Sequence, residues 1–212
     1  FYSSIFMKKI IVPVIDFAHG SNVKGKRSPD GKHLEWIWSR TVGKDIAAIL
    51  KAYGYTIYYT NPLDTEGGLS NRVRVADSIE IKDGQIKLLI SLHNNAAGDG
   101  TKWMSARGFE VWTKKGVDLA DDFSDMIFDS MKEWFPGLKL RVAVDKDLQR
   151  DKEGELAVLK TKTCFSVLIE YLFQDNKEDV ALLTDEAQNK RFADCIVDAV
   201  VKLEESLKTK KV

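Results

Sequence analysis

Two hydrophobic rhythms alternate along this chain. Short apolar, β-branched runs at residues 10–15, 55–60, 88–92, 108–113 and 165–169 read as strands, each stopped by polar residues. Between them the spacing turns helical. Trp38, Val42, Ile46, Ile49, Leu50 and Tyr53 line one helix face, with Gly54 where a C-cap belongs. A second helix is expected over residues 71–81, stopped by Asp83-Gly84, and a third carries Leu119, Phe123, Met126, Ile127, Met131 and Trp134 up to Pro136-Gly137. A short helix over 176–183 follows the last strand. The final helix starts at Asp185, with Gln188 in capping-box position and Phe192, Ile196, Ala199, Val200 and Leu203 as its buried stripe. Residues 138–162 are less regular: 140–144 and 156–159 are strand-like, and the charged stretch 145–155 between them reads as a solvated loop. Strands and helices alternating in this way predict an α/β fold of three layers, a mostly parallel twisted sheet of about six strands with helices on both faces.

Length and charge narrow the picture. With 212 residues and no internal repeat or linker, one domain is expected over 9–207, preceded by an N-terminal extension or engineered remnant at 1–8 and followed by a basic tail at 208–212. The 32 basic and 32 acidic residues cancel, so no global field draws the chain to nucleic acid or to an anionic membrane. No apolar run is long enough to predict membrane insertion. The two cysteines, Cys164 and Cys195, sit inside apolar patterns and read as small buried hydrophobes rather than a disulfide framework.

The chemistry gathers at strand ends. The run 88–92 delivers His93, the run 10–15 leads through Asp16, Phe17 and Ala18 to His19, and the run 165–169 ends in Glu170. Loops beyond the carboxyl ends of parallel strands are where α/β proteins build sites. Glu35 opens the first helix, just past the Gly- and Ser-rich loop that His19 begins. Two histidines and a carboxylate form a catalytic zinc set with the fourth position open. Glu170 needs a partner to offset burial. The loop 94–107 is long enough to be functional, and Trp103, Met104 and the pair Asn94-Asn95 are candidate substrate contacts; the competing reading folds this loop back on its own anchors. His33 is either a loop residue or a groove-lining competitor for metal. Arg72 and Arg74 read as helix-surface or salt-bridge residues.

These residues resemble the zinc-dependent N-acetylmuramoyl-L-alanine amidases, the peptidoglycan-cleaving family of bacterial autolysins and phage endolysins. The strand-histidine-glycine motif appears as Ile15 to Gly20, the helix-opening glutamate as Glu35, and the leucine-x-x-arginine motif as Leu69-Ser70-Asn71-Arg72. The serine-isoleucine-histidine motif appears as Ser91-Leu92-His93-Asn94-Asn95-Ala96, and the glycine-phenylalanine-glutamate-valine strand as Gly108-Phe109-Glu110-Val111. The late glutamate motif appears as Ile169-Glu170-Tyr171-Leu172-Phe173-Gln174-Asp175-Asn176. Six matches in order span residues 9–207. Two departures stand beside the site: Phe17-Ala18 replaces a proline-glycine, and Leu172 replaces a glycine. Both change backbone freedom and bear on substrate fit more than on metal binding.

The resemblance implies one Zn2+ held by His19, Glu35 and His93, polarising the amide between muramic acid and L-alanine, with Glu170 as general base and then acid. It implies peptidoglycan as partner and the cell wall as place of action, extracellular or periplasmic, with no obligate protein partner. No signal peptide is readable, which is expected of a phage lysin or of an exported autolysin whose leader has been removed. A zinc peptidase acting on stem peptides and a catalytically silent wall-binding module are the alternatives; the complete His19, Glu35, His93 and Glu170 set speaks against the module.

Overall fold

The computed structural model describes residues 9–143 and 149–209. In chain order the elements are β1 (Ile11–Phe17), α1 (Glu35–Ala52), β2 (Tyr58–Tyr59), α2 (Leu69–Ser78), β3 (Ile86–Asn95), β4 (Glu110–Thr113), α3 (Leu119–Trp134), β5 (Lys152–Glu153), a single 3-10 turn (Ala157–Leu159), β6 (Cys164–Phe173), α4 (Lys177–Leu183) and α5 (Glu186–Thr209). Six strands form one sheet in the order β2-β1-β3-β6-β4-β5. Neighbours pair in parallel except β4, which runs antiparallel to β6. This is the expected α/β architecture.

Side chains alternate across a strand, and the two faces of this sheet are used differently. Ile11, Ile15 and Phe17 of β1, Leu88, Ile90 and Leu92 of β3, and Val167, Ile169 and Tyr171 of β6 join the buried stripes of α1, α3 and α5 in one large core. Helix α1 lies so close that a Cβ on Gly43 would stand 2.9 Å from Leu92 and strike the Phe17 ring. The opposite face is thinly covered. Val14, Leu89 and Cys164 pack there against Ala76 of α2, and the intervening positions carry Asp16, Ser91, His93, Glu110, Ser166 and Glu170. Lys87, also on this face, is buried and donates to the carbonyls of Ala76, Asp77 and Ile79 at 2.8, 3.0 and 2.9 Å, ending α2 with a cation. At the far end Glu204 of α5 accepts the N–H groups of Ile10 and Ile11 at 3.0 and 2.9 Å and so closes the chain on its first strand.

Several local expectations are corrected. The strand expected over 55–60 is only two residues long, and α2 starts and ends two to three residues earlier than its periodicity suggests. Within the expected strand 156–159, Ala157–Leu159 form a 3-10 turn instead, and Leu140 makes only an isolated bridge to Phe109. Within the charged stretch, Lys152 and Glu153 pair with Trp112 and Thr113 to form the edge strand β5; Val144 and residues 145–148 lie outside the described residues. The same holds for residues 1–8 and for 210–212 of the basic tail, while Lys208 continues α5 and pairs with Glu204 at 3.1 Å.

Candidate active site

The site forms where β1, β3 and β6 end and α1 begins. His19 lies two residues past β1 with φ of 48°, a left-handed backbone that a histidine adopts only when held. The clamp is Arg40 of α1, which donates to the carbonyls of Ala18 and His19 at 3.0 and 2.9 Å and to that of Leu63 at 2.5 Å, while Asn61 Nδ2 donates to His19 O at 2.8 Å. Glu35 is the first residue of α1 and buried. Its Oε1 is 3.3 Å from His19 Nε2 and 3.1 Å from His93 Nδ1. It also accepts the Asn94 N–H at 3.0 Å, and Oε2 accepts Gln174 Nε2 at 2.9 Å. The two imidazoles stand edge to face, centroids 5.1 Å apart.

One atom from each of His19, Glu35 and His93 fits within 4.8 Å of the others. Ligand atoms around a tetrahedral zinc at about 2.0–2.2 Å stand roughly 3.3 Å apart, so this donor set suits that ion in both chemistry and spacing. Burial would raise the Glu35 carboxyl, but hydrogen bonds to His19 and His93 outweigh it and hold the group well below the usual carboxylate range. Burial, with help from Arg72 and His19 and against Glu35, lowers His93 and keeps it in the neutral form that ligates metals.

Glu170 is the register partner of His93 on the adjacent parallel strand, so both project from the same face, with strands about 4.8 Å apart. Glu110, its partner on the other side, continues the row. The Glu170 residue is partly exposed, but its Oε2 is closed off from solvent and has no hydrogen-bond partner among the described residues. Burial pushes this carboxyl well up, and the charges of Glu35 and Glu110 add to the shift against Lys26 and Lys152. A carboxyl with one shielded, unpartnered oxygen beside three clustered donors is where a catalytic group is expected.

The residues expected at substrate have other partners here. Asn94 is buried: its Nδ2 donates to the carbonyls of His93 and Tyr171 at 3.1 and 2.8 Å, and its Oδ1 lies 2.8 Å from His33 Nε2. Since Oδ1 can only accept, His33 carries its proton on Nε2 and braces Asn94 from outside the donor cluster. Asn95 Nδ2 donates to Glu110 Oε1 at 2.8 Å. The loop carrying Trp103 and Met104 is folded back on the end of β6: Asp175 accepts the N–H groups of Ala97 and Gly98, and Asn176 reaches Met104 O at 3.1 Å. Trp103 is partly exposed beneath Lys177, on a shallow depression that also includes Arg107 and Glu178.

Arg72 takes the salt-bridge alternative, from a buried position. It is 1 % exposed, pairs with the fully buried Asp16, and brings Nη2 to 3.3 Å from His93 Nε2. Asp16 gave the only advance signal, a carboxylate ending an apolar strand and therefore in need of a cation. Gln174 had no signal beyond its place after β6. Arg74 does stay at the surface, bonded to Asn71.

The N-acetylmuramoyl-L-alanine amidase family model matches residues 14–202. The chain belongs to that family. No curated protein matches it. Among solved structures it is similar to an N-acetylmuramoyl-L-alanine amidase from Clostridium difficile 630, with 21% identity, a TM-score of 0.79, and coverage of 94% of this chain and 99% of that one. It is also similar to the catalytic domain of CwlV from Bacillus (Paenibacillus) polymyxa var. colistinus, at 23% identity and a TM-score of 0.73, covering 90% and 96%. The catalytic domain of the CD27L endolysin targeting Clostridia difficile gives 19% identity and a TM-score of 0.64, covering 91% and 97%. At these identities the structural likeness speaks for the fold. Among the described residues no helix is long and apolar enough to cross a membrane.

Proposed function

We propose that this amidase is zinc-dependent and hydrolyses the amide between N-acetylmuramic acid and L-alanine at the cell wall, with His19, Glu35 and His93 as ligands and Glu170 as the proton-transferring group. The observation that carries this reading is the three-donor cluster beside the unpartnered Glu170 Oε2. Bound there, zinc supplies Lewis-acid polarisation of the amide carbonyl and activation of water at neutral pH. Glu170, repelled by Glu35 and Glu110, would be favoured in its ionised form by a divalent charge at this site. Ionised Glu170 takes a proton from the attacking water, and the protonated carboxyl returns it to the departing alanine nitrogen. Gln174 and the Asn94 N–H hold Glu35 so that one oxygen remains between the two imidazoles. In this reading Trp103 offers a stacking face to sugar or peptide, while Asn94 and Asn95 act through the backbone and the Glu110 network they brace.

Purified peptidoglycan incubated with the protein, with and without a chelator, tests the proposal. The expected result is new L-alanine amino termini without new reducing sugars, abolished by chelator and restored by zinc. New amines at other stem positions would replace the reading with a peptidase, and no release under any metal condition would replace it with a binding module.

A further inference from the structure

Resting on the zinc reading above, we propose that Glu66 is a positioning residue for His19: its carboxylate backs the Nδ1–H of the ring when Nε2 is given to the metal. His19 points Nε2 at Glu35, inside the donor cluster, and Nδ1 at Glu66 Oε2, 3.8 Å away. A neutral imidazole carries one proton on two nitrogens; Glu35 Oε1 faces Nε2 at 3.3 Å, so once a metal takes Nε2 the proton stays on Nδ1, the nitrogen that Glu66 faces. The side chain of Glu66 is only 8% exposed, and its other oxygen lies 3.5 Å from Arg72 Nη1, so a buried cation supports the charge.

The position of Glu66 is built from both sides. Asn22 accepts the Glu66 N–H at 2.8 Å and donates to its carbonyl at 3.2 Å, and Ser21 N–H reaches Asp64 O at 2.7 Å. Gly20, directly after His19, has no room for a Cβ: it would lie 2.8 Å from the Thr65 carbonyl carbon. The loop leaving His19 and the loop carrying Glu66 are thus locked as one unit. The second histidine is backed differently, because His93 Nε2 faces the Arg72 guanidinium at 3.3 Å. Arg72 therefore links the two histidines, with Glu66 as the carboxylate of the pair.

Carboxylates behind metal-ligating histidines are worth about 10–100-fold in metal affinity. The test measures zinc Kd by chelator competition for the wild type, Glu66→Ala and Glu66→Gln, and reads solvent exchange of the His19 Nδ1–H by NMR of the zinc-bound proteins. Glu66→Ala is expected to bind zinc about 10–100-fold more weakly and to exchange this proton faster than the wild type. Glu66→Gln, which keeps an acceptor, should recover most of both. A wild type that binds zinc with affinity and exchange unchanged in both variants would overturn the proposal. A wild type that binds no zinc would overturn the zinc reading and the proposal with it. If Glu66→Ala does not fold, Glu66→Asp takes its place, since the shorter carboxylate moves away from Nδ1 and is expected to weaken binding and speed exchange in the same direction.

Discussion

Replacing Arg72 with Met would remove one partner of a fully buried ion pair while keeping most of the volume of its stem. Asp16, with no exposure, accepts Arg72 Nε at 2.7 Å and Nη2, together with the hydroxyls of Ser91 at 2.5 Å and Thr60. After the substitution it retains two hydroxyl donors and no cation. Leaving one charge of a buried pair without its partner costs about 3–5 kcal/mol. In a domain of this length that corresponds to about 6–20 °C in Tm. The pH dependence carries the sign. Burial raises the Asp16 carboxyl, but the Arg72 charge and hydrogen bonds from Arg72, Ser91 and Thr60 outweigh it and hold the group below its ordinary value. A depressed folded pKa gives stability that is present above the unfolded value and lost as pH falls through the folded one. In Arg72→Met burial prevails, the folded carboxyl shifts up, and protonation relieves the defect in acid. The gap between the two proteins should be widest at neutral pH and narrow below about pH 4. Urea unfolding of both at pH 7 and pH 4, with chelator present so that metal linkage does not enter, checks this. A neutral-pH gap under about 1 kcal/mol, or a gap indifferent to pH, refutes the argument.

Three further outcomes are expected. Glu170→Gln should lower peptidoglycan turnover by about 10²–10⁴-fold with zinc affinity retained; near-normal activity, or loss of zinc, would remove Glu170 from its role. Lys87→Met should cost about 1–3 kcal/mol in urea unfolding, because three carbonyls ending α2 lose their donor, and a neutral effect would mean that solvent replaces the lysine. Burial, reinforced by the charges of Asp151 and Asp118 against backbone hydrogen bonds, pushes Asp121 up to about 6. A raised folded carboxyl binds more protons than the unfolded one, so wild-type stability should fall as pH rises from the ordinary value of 3.8 towards 6. Asp121→Asn keeps the acceptor for Asp118 N–H and should flatten that part of the stability profile; an unchanged slope would point to another group.

What the sequence disclosed depended on how strongly each residue broke a pattern. His93 and Glu170 were readable because each ends an apolar run, and strand register then sets them side by side. Glu35 was readable from its place at the head of a strong helical stripe. Arg72 was not, because Arg-Val-Arg-Val gives no indication of which arginine turns inward; only a partner remote in sequence, Asp16, decides it. The edge strand β5 was hidden for a related reason. Its two charged residues are strand because Trp112 and Thr113 offer free backbone groups, and pairing overrides composition. Of the two readings of the loop after His93, the sequence could not choose the folded-back one, because its anchors, Asp175 and Asn176, lie past another strand end.

The division of labour between the two sheet faces explains how one short sequence supports both a core and a site. Along β3, Leu88, Ile90 and Leu92 face three helices, while Leu89 packs against α2, Ser91 bonds Asp16 and His93 meets Glu35 at the start of α1. The first of these faces is thus lined by apolar residues, and the polar residues of the second face stand among apolar ones such as Val14 and Leu89. The cost appears where strands must leave this regular geometry. Between His93 and Asn95 the pairing with β6 shifts by one residue, and Leu172, directly in that bulge, takes φ of 65°. A left-handed leucine costs about 1–2 kcal/mol, yet Leu172 is fully buried in the large core, which contributes about 1.5–3 kcal/mol for a leucine side chain. The two terms are of similar size. The residue that replaces the family's glycine therefore holds the bulge by packing instead of by backbone freedom, and the bulge sets Gln174 against Glu35.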